Sequence, residues 1–157
     1  SHPLVRFVNF TGSVRIGKHV MKVAADRMTP VTLELGGNDA AIVCADARLD
    51  DEAFRNMYLG TFMSSGQICM ALKRLYVHRS RYDEVVEGLT GVCDSKVVGD
   101  GLLPETDMGP LNNARQQKTV RDMIGQARYA GAQVREIFVE RPKTALRRVP
   151  LAFDGER

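Results

Sequence analysis

Four short runs of the chain have apolar residues that are continuous or alternate with polar ones, a pattern typical of β-strands. The runs lie at residues 5–10, 31–35, 40–44 and 74–78. Between them, apolar residues recur three or four positions apart, which predicts amphipathic helices. Strands that alternate with helices predict an α/β fold in which most of the strands are parallel.

Local signals predict where the helices begin and end. The first helix has Ser13 as its N-cap and stops before Pro30, and the last covers residues 114–130 and ends at Gly131. The two middle helices are expected to start at the acidic residues 50–52 and at Ser80. The positions expected to face the core are Val14, Met21, Ala24 and Ala25, then Phe54, Met57, Tyr58 and Phe62, then Tyr82, Val85, Val86, Leu89, Val92 and Cys93, and finally Val120, Met123, Ile124 and Ala127.

Composition excludes several classes of function. A net charge of +3 on 157 residues gives no support for binding to nucleic acid or to an acidic membrane, and we read the arginines after residue 140 as solvated. No apolar run reaches the roughly 18 residues of a membrane span. The three cysteines, Cys44, Cys69 and Cys93, lack CxxC spacing, so we expect free thiols, no metal site and a reducing, cytoplasmic location.

The segment Ser65-Gly66-Gln67-Ile68-Cys69 is the main candidate for chemistry. A glycine turn would expose the thiol, and a helical run at 70–74 would present free backbone N–H groups to it. Such groups favour the thiolate, which is the nucleophilic form. The alternative is that Cys69 is a small buried hydrophobe, as isolated cysteines often are. We expect Cys44 and Cys93 to lie in core settings.

Two further segments could carry function. The turn Thr11-Gly12-Ser13 leads from a strand into a helix N-terminus, where unpaired N–H groups can bind a phosphate. The alternative is an ordinary strand-to-helix turn, because no GxGxxG fingerprint is present. Glu34 lies at a strand end beside Gly36 and Gly37 and could be a general base, although a solvated strand residue fits the local sequence better.

Taken together, four segments resemble motifs of the aldehyde dehydrogenase superfamily. Residues 10–13 with Gly17 resemble its FTGSxxxG turn, and residues 33–37 its LELGG signature. Residues 65–69 resemble its SGQxC signature, and residues 108–111 match its MGPL segment. The resemblance covers about residues 5–135 and implies part of the aldehyde dehydrogenase fold.

The resemblance also implies residue roles. Cys69 would be the nucleophile that forms a thiohemiacetal and then a thioester, with its own N–H helping to hold the oxyanion. Glu34 would activate the hydrolytic water. The residues implied to bind NAD or NADP are Gly12, Ser13, Ile16, Leu35 and Gly36. The substrate would be a small-molecule aldehyde, and intact members are expected to be homo-oligomers.

The resemblance implies a domain division as well. Residues 1–36 would end a Rossmann-like coenzyme domain, and residues 37–135 would begin a catalytic domain. Segments that complete the coenzyme cleft in the family are not recognisable, so the alternative is a truncated and catalytically silent remnant. Periodicity and resemblance both stop after Val134, and we expect residues 136–157 to be an irregular tail. A shifted reading frame would produce such a tail, and the alternative is a divergent surface loop of native sequence.

Overall fold

The computed structural model describes the backbone of residues 2–138 and 148–153 and the side chains of residues 2–134. Its strands are β1 (Val8–Thr11), β2 (Val31–Glu34), β3 (Asp39–Val43), β4 (Leu72–Val77), β5 (Gln133–Phe138) and β6 (Arg148–Phe153). Its α-helices are α1 (Val14–Ala25), α2 (Asp51–Phe62), α3 (Tyr82–Asp94) and α4 (Ala114–Tyr129). Short 3-10 turns occupy Met63–Gly66 and Arg79–Arg81. The α/β prediction is therefore confirmed.

The strands form three pairs. β1 pairs with β2 and β3 pairs with β4, both in parallel, and a helix connects the two strands of each pair. β5 and β6 are antiparallel. Within each parallel pair the two carboxyl ends lie at the same edge. Glu34 and the turn at Gly12 follow the carboxyl ends of β2 and β1, whereas Gly37 and Cys69 precede the amino ends of β3 and β4.

The main core cluster lies where α2, α3 and the loop after α3 meet. Its buried members are Tyr58, Leu89, Cys93 and Met108. Tyr58 also contacts Phe62 with the ring centroids 5.4 Å apart. The apolar stripes predicted for α2 and α3 are buried or half-buried as expected. Met108, whose neighbours form the MGPL segment, anchors the long loop after α3 in the core.

Several predicted core positions are wrong. In α1, Val14 and Met21 are 51% and 52% exposed, and Ala25 is exposed as well. Met123 of α4 is 63% exposed. Few described elements pack against α1 and α4. Helical spacing therefore predicted which residues share an apolar face, but it could not predict whether another element buries that face.

Three local predictions also need correction. The helical run expected at 70–74 is wrong, because β4 begins at Leu72 and its β-branched and aromatic residues pair with β3. Ser80 does not cap α3; its N–H donates to the His78 ring inside the 3-10 turn. Cys44 is exposed rather than in the core.

The tail contains more regular structure than its sequence indicates. β6 pairs with β5 in a register that joins Gln133 to Phe153 and Phe138 to Arg148. Residues 148–153 are therefore a strand, which differs from the expected irregular tail. Residues 139–147 and 154–157 lie outside the described part, and the structure does not test the shifted frame.

Candidate active site and coenzyme turn

The ends of β1 and β2 bring the first two motifs together. Thr11 is the register partner of Glu34, and the next N–H along the chain, from Gly12, donates to the Glu34 carbonyl at 2.9 Å. The turn at residues 10–13 and the segment that carries Glu34 are thus adjacent through the backbone. A Cβ added at Gly12 would lie 2.6 Å from Cζ of Phe10, so the turn packs against this ring and a larger residue would require the ring to move.

Ser13 is the N-cap of α1, as predicted. Its backbone is extended, and its hydroxyl accepts a hydrogen bond from the Ile16 N–H at 3.4 Å. Within the described residues, the N–H groups of Val14 and Arg15 have no acceptor. Unpaired N–H groups in a first helical turn can hold an anionic group such as a phosphate. The turn therefore has the chemistry that a pyrophosphate requires.

Leu35 fixes the distance between α1 and the end of β2. A Cβ added to the buried Gly17 would lie 2.5 Å from Leu35 Cδ2, so the helix packs directly on this side chain. The next residue, Gly36, has a φ of +97°, a conformation that favours glycine. The chain then turns away from the strand direction, and Gly36 is exposed at the turn.

Glu34 points out from the strand pair. Its side chain is exposed, and among the described residues its carboxylate has no hydrogen bond or ion pair. No hydrogen bond joins it to Cys69 in this part of the chain. The carboxylate is therefore available to a water or a substrate.

The segment before Cys69 is a strained turn. Ser64, Ser65 and Gly66 have φ values of 51°, 59° and 72°, so three consecutive residues adopt the left-handed conformation. For the two serines this costs roughly 1–2 kcal/mol each. Cys69 follows in an exposed turn that ends at Ala71, whose N–H donates to the Ile68 carbonyl at 3.2 Å. The thiol is exposed by a turn, as predicted, but no helix follows it.

Two long-range hydrogen bonds hold this turn. The Ser65 hydroxyl donates to the Gly109 carbonyl at 2.9 Å. The Gln67 side-chain carbonyl accepts from the Asn112 N–H at 2.8 Å, while its amide donates to the Ser64 carbonyl at 3.0 Å. Ser65 and Gln67 of SGQxC are therefore bound to the MGPL segment and to Asn112 directly after it, 44 and 45 residues further along the chain.

The glycine pair after β2 contacts the Cys69 turn. A Cβ added to Gly37 would lie 2.8 Å from the Cys69 carbonyl oxygen, so the two backbones are close enough that only glycine fits without movement. The Arg74 guanidinium donates to the Asn38 carbonyl at 2.6 and 3.1 Å. These contacts join the segment that carries Glu34 to the one that carries Cys69.

The three thiols differ in environment. Cys69 and Cys44 are exposed, whereas Cys93 is buried in the core cluster. Burial raises the pKa of the Cys93 thiol to about 12, and the neighbouring Asp94 carboxylate adds to the effect. At neutral pH Cys93 is therefore a protonated core residue, as predicted.

Sequence reasoning missed several residues that build the site. The Cys69 turn is held by hydrogen bonds of Gln67, Lys73 and Asn112, and Arg74 holds the Asn38 carbonyl beside it. The bonds of Arg74 and Asn112 join residues 36 and 45 positions apart, whereas those of Lys73 reach carbonyls two to five positions away. A local pattern carries no signal for such pairings.

Comparison with known proteins identifies the chain. The model of the aldehyde dehydrogenase family matches residues 1–137. The chain belongs to the aldehyde dehydrogenase family. A Pseudomonas sp. protein named "Probable aldehyde dehydrogenase" is 43% identical over 135 residues, which are 86% of this chain and 28% of that protein. An aldehyde dehydrogenase from Bacillus cereus, solved as a complex with NAD+, superposes with a TM-score of 0.86 and 34% identity over 96% of this chain and 31% of its own.

The chain spans about 30% of the length of these aldehyde dehydrogenases. The comparisons differ about the tail. The family model stops at residue 137, whereas the Bacillus subtilis aldehyde dehydrogenase relative AldY aligns over 155 residues with 36% identity, covering 99% of this chain and 31% of AldY. No helix within the described residues is long and apolar enough to cross a membrane.

Proposed function

We propose that this chain carries the nucleophile and the base of an NAD(P)-dependent aldehyde dehydrogenase that oxidises an aldehyde to a carboxylic acid. The observation that carries the proposal is the close contact between Gly37 and the Cys69 turn. This contact joins the strand end that holds Glu34 to the exposed thiol, within a family whose members oxidise aldehydes.

The proposed chemistry uses two side chains of the chain. The Cys69 thiolate attacks the aldehyde carbon, giving a thiohemiacetal whose oxygen is held partly by the Cys69 N–H. The coenzyme that the start of α1 would hold would supply the acceptor for the hydride that leaves this carbon, and a thioester would remain on Cys69. Glu34 then removes a proton from a water that attacks the thioester and releases the acid.

The unpaired N–H groups at the start of α1 fit a coenzyme pyrophosphate. We assign Gly12 and Ser13 to the turn beside it and Ile16 to a contact with the dinucleotide. Leu35 and Gly36 would line the side nearer Glu34. The choice of NAD or NADP, a small-molecule aldehyde as substrate, a homo-oligomeric assembly and a cytoplasmic location belong to the same proposal.

A burst experiment on the chain tests the nucleophile without coenzyme. With p-nitrophenyl acetate, the thiolate attacks the ester carbonyl, p-nitrophenolate leaves, and an acetyl thioester remains on the sulfur. We expect a burst at 400 nm and acetyl on Cys69 by peptide mass mapping. Cys69→Ser should abolish the burst and Cys44→Ser should leave it; acetyl on Cys44 instead would contradict the proposal.

Glu34→Gln tests the base in the same assay. Because Glu34 is assigned to water activation, the variant should keep the burst and lose most of the slower release of acetate from Cys69. Asp46→Asn is a suitable control, since Asp46 is an exposed carboxylate away from the site. Loss of the burst with unchanged acetate release would overturn the assignment.

The competing proposal is a catalytically silent remnant. Formation of NADH at 340 nm with a panel of aldehydes separates the two proposals, with Cys69→Ser as the background. Calorimetric titration with NAD shows whether absence of turnover arises from absence of coenzyme binding. We expect weak or undetectable binding, because the described strands offer only the pyrophosphate end of a cleft.

A further inference from the structure

Lys73 makes an unusual set of contacts beside the Cys69 turn. Its ammonium group donates to the carbonyl oxygens of Ile68 at 3.0 Å, Cys69 at 3.3 Å and Ala71 at 3.0 Å. A lysine ammonium has three protons, and all three are directed at the backbone. Within the described residues, no carboxylate lies within ion-pair distance of it.

The contacts fix the direction of the Cys69 N–H. In a trans peptide, the carbonyl and the following N–H point in opposite directions in one plane. Because the Ile68 carbonyl is held by Lys73 and by the Ala71 N–H, the N–H of Cys69 must point away from both. In the described part of the chain this N–H has no acceptor.

We propose that Lys73 is a positioning residue that orients the backbone N–H of Cys69 toward the oxygen of the substrate carbonyl. The inference rests on the proposed function, in which this N–H stabilises the oxyanion. Lys73 acts through the peptide groups of residues 68–71 and touches neither thiol nor substrate. Without it, this exposed turn keeps only the Ala71 hydrogen bond across residues 68–71.

Two reactions of the Cys69 thiol distinguish the orientation of the Cys69 N–H from the reactivity of the thiol itself. Acylation by p-nitrophenyl acetate passes through an oxyanion, whereas alkylation by iodoacetamide is a displacement at carbon with no oxyanion. Removing one oxyanion donor costs roughly 10²–10³-fold in rate in well-studied enzymes. A donor that is only misoriented should cost less, so we expect Lys73→Met to slow acylation of Cys69 by about 10-fold.

The variants are compared by the ratio of the acylation and alkylation rates at Cys69. Lys73→Met should lower the ratio by about 10-fold while alkylation changes by less than about 3-fold. Lys73→Arg, which retains a cationic donor, should recover part of the loss. Lys22→Met removes an exposed lysine of α1 and should leave the ratio unchanged. Circular dichroism and thermal melts report whether each variant is folded.

The outcomes distinguish this inference from the proposed function. If the wild-type ratio at Cys69 is no higher than at the exposed Cys44, the thiol lacks an oxyanion site and the proposed function fails. If the wild-type ratio is high but Lys73→Met leaves it unchanged, the role of Lys73 alone is wrong. Equal losses in both reactions would also overturn it, because they would show that Lys73 acts on the thiolate or on the fold. If Lys73→Met does not fold, Lys73→Arg decides. A folded Lys73→Arg variant in which acylation and alkylation are slowed by the same factor would keep the ratio of Lys22→Met, and this result would count against orientation.

Discussion

Replacing Gly37 with alanine should disturb the Cys69 turn from outside it. The added Cβ would lie 2.8 Å from the Cys69 carbonyl oxygen, and ordinary contacts of this kind begin at about 3.4 Å. The Asp39 carboxylate, 2.6 Å away, can rotate, because it is a side chain. The carbonyl cannot, since Lys73 and the strand that follows hold the backbone. The turn must therefore move by roughly half an ångström.

The expected cost of Gly37→Ala is that of a small overpacking, about 1–3 kcal/mol in the free energy of unfolding. Gly36→Ala should cost a similar amount for a different reason. Its φ of +97° is strained for a residue with a side chain, yet its added Cβ would meet no atom within 4 Å. Gly36→Ala and Gly37→Ala should therefore lower the free energy of unfolding by similar amounts, but only the Cβ added at Gly37 would contact Cys69.

Urea unfolding and the acylation rate of Cys69 together test this reasoning. Gly37→Ala should lower both the stability and the acylation rate, whereas Gly36→Ala should lower mainly the stability. Gly91→Ala, at an exposed position in the last turn of α3 with open space around it, should gain up to about 0.5–1 kcal/mol in the free energy of unfolding and leave the acylation rate unchanged. Equal acylation rates in Gly37→Ala and wild type would refute the close approach of the two segments.

Four further predictions concern the thiols, the core, the turn and the tail. Limiting iodoacetamide should label Cys69 before the buried Cys93, and mass mapping that finds Cys93 first would contradict this. Burial raises the pKa of Tyr58 and of Cys93 to about 12. Both groups therefore stay protonated in the folded state at a pH where they lose their protons in the unfolded chain. The free energy of unfolding should fall as the pH rises from about 9 to 12. In urea unfolding experiments, Tyr58→Phe should make this fall smaller. Ser65→Ala should lower the free energy of unfolding by about 1 kcal/mol, because the hydrogen bond from Ser65 to the Gly109 carbonyl is lost. Ser95→Ala is the control, since it removes only a hydrogen bond to the nearby Val92 carbonyl. Sequencing the coding DNA should show a family-like continuation, with Gly-Pro after a Phe, in another frame after residue 137; absence from both frames would make the tail native.

The sequence predicted the elements well where local chemistry decides them. Ser13 and Asp50 have capping side chains and begin helices as expected. The parallel pairs follow from alternating strands and helices. Cys93 and Tyr58 lie at helical spacing in a stripe that is covered on its apolar side, so both were predicted correctly as core.

Prediction failed where a neighbour distant in sequence decides the outcome. Residues 70–74 have good helix formers, yet β4 forms because Leu72 and its successors pair with β3. Val14 and Met21 have the spacing of a buried face, but burial depends on what packs there. Lys73 gave no signal, because its acceptors are backbone carbonyls, which every sequence has.

The strained turn explains why two motifs far apart in the chain act together. Ser64 and Ser65 in the left-handed conformation cost roughly 1–2 kcal/mol each, which a free loop would relax. The hydrogen bonds from Ser65 to Gly109 and from Asn112 to Gln67 offset much of that cost at about 1 kcal/mol apiece. They can do so because the buried Met108 holds the MGPL segment in the core. The position of the thiol after the turn therefore depends on a loop that begins some 30 residues later, so substitutions in that loop should alter the reactivity of Cys69.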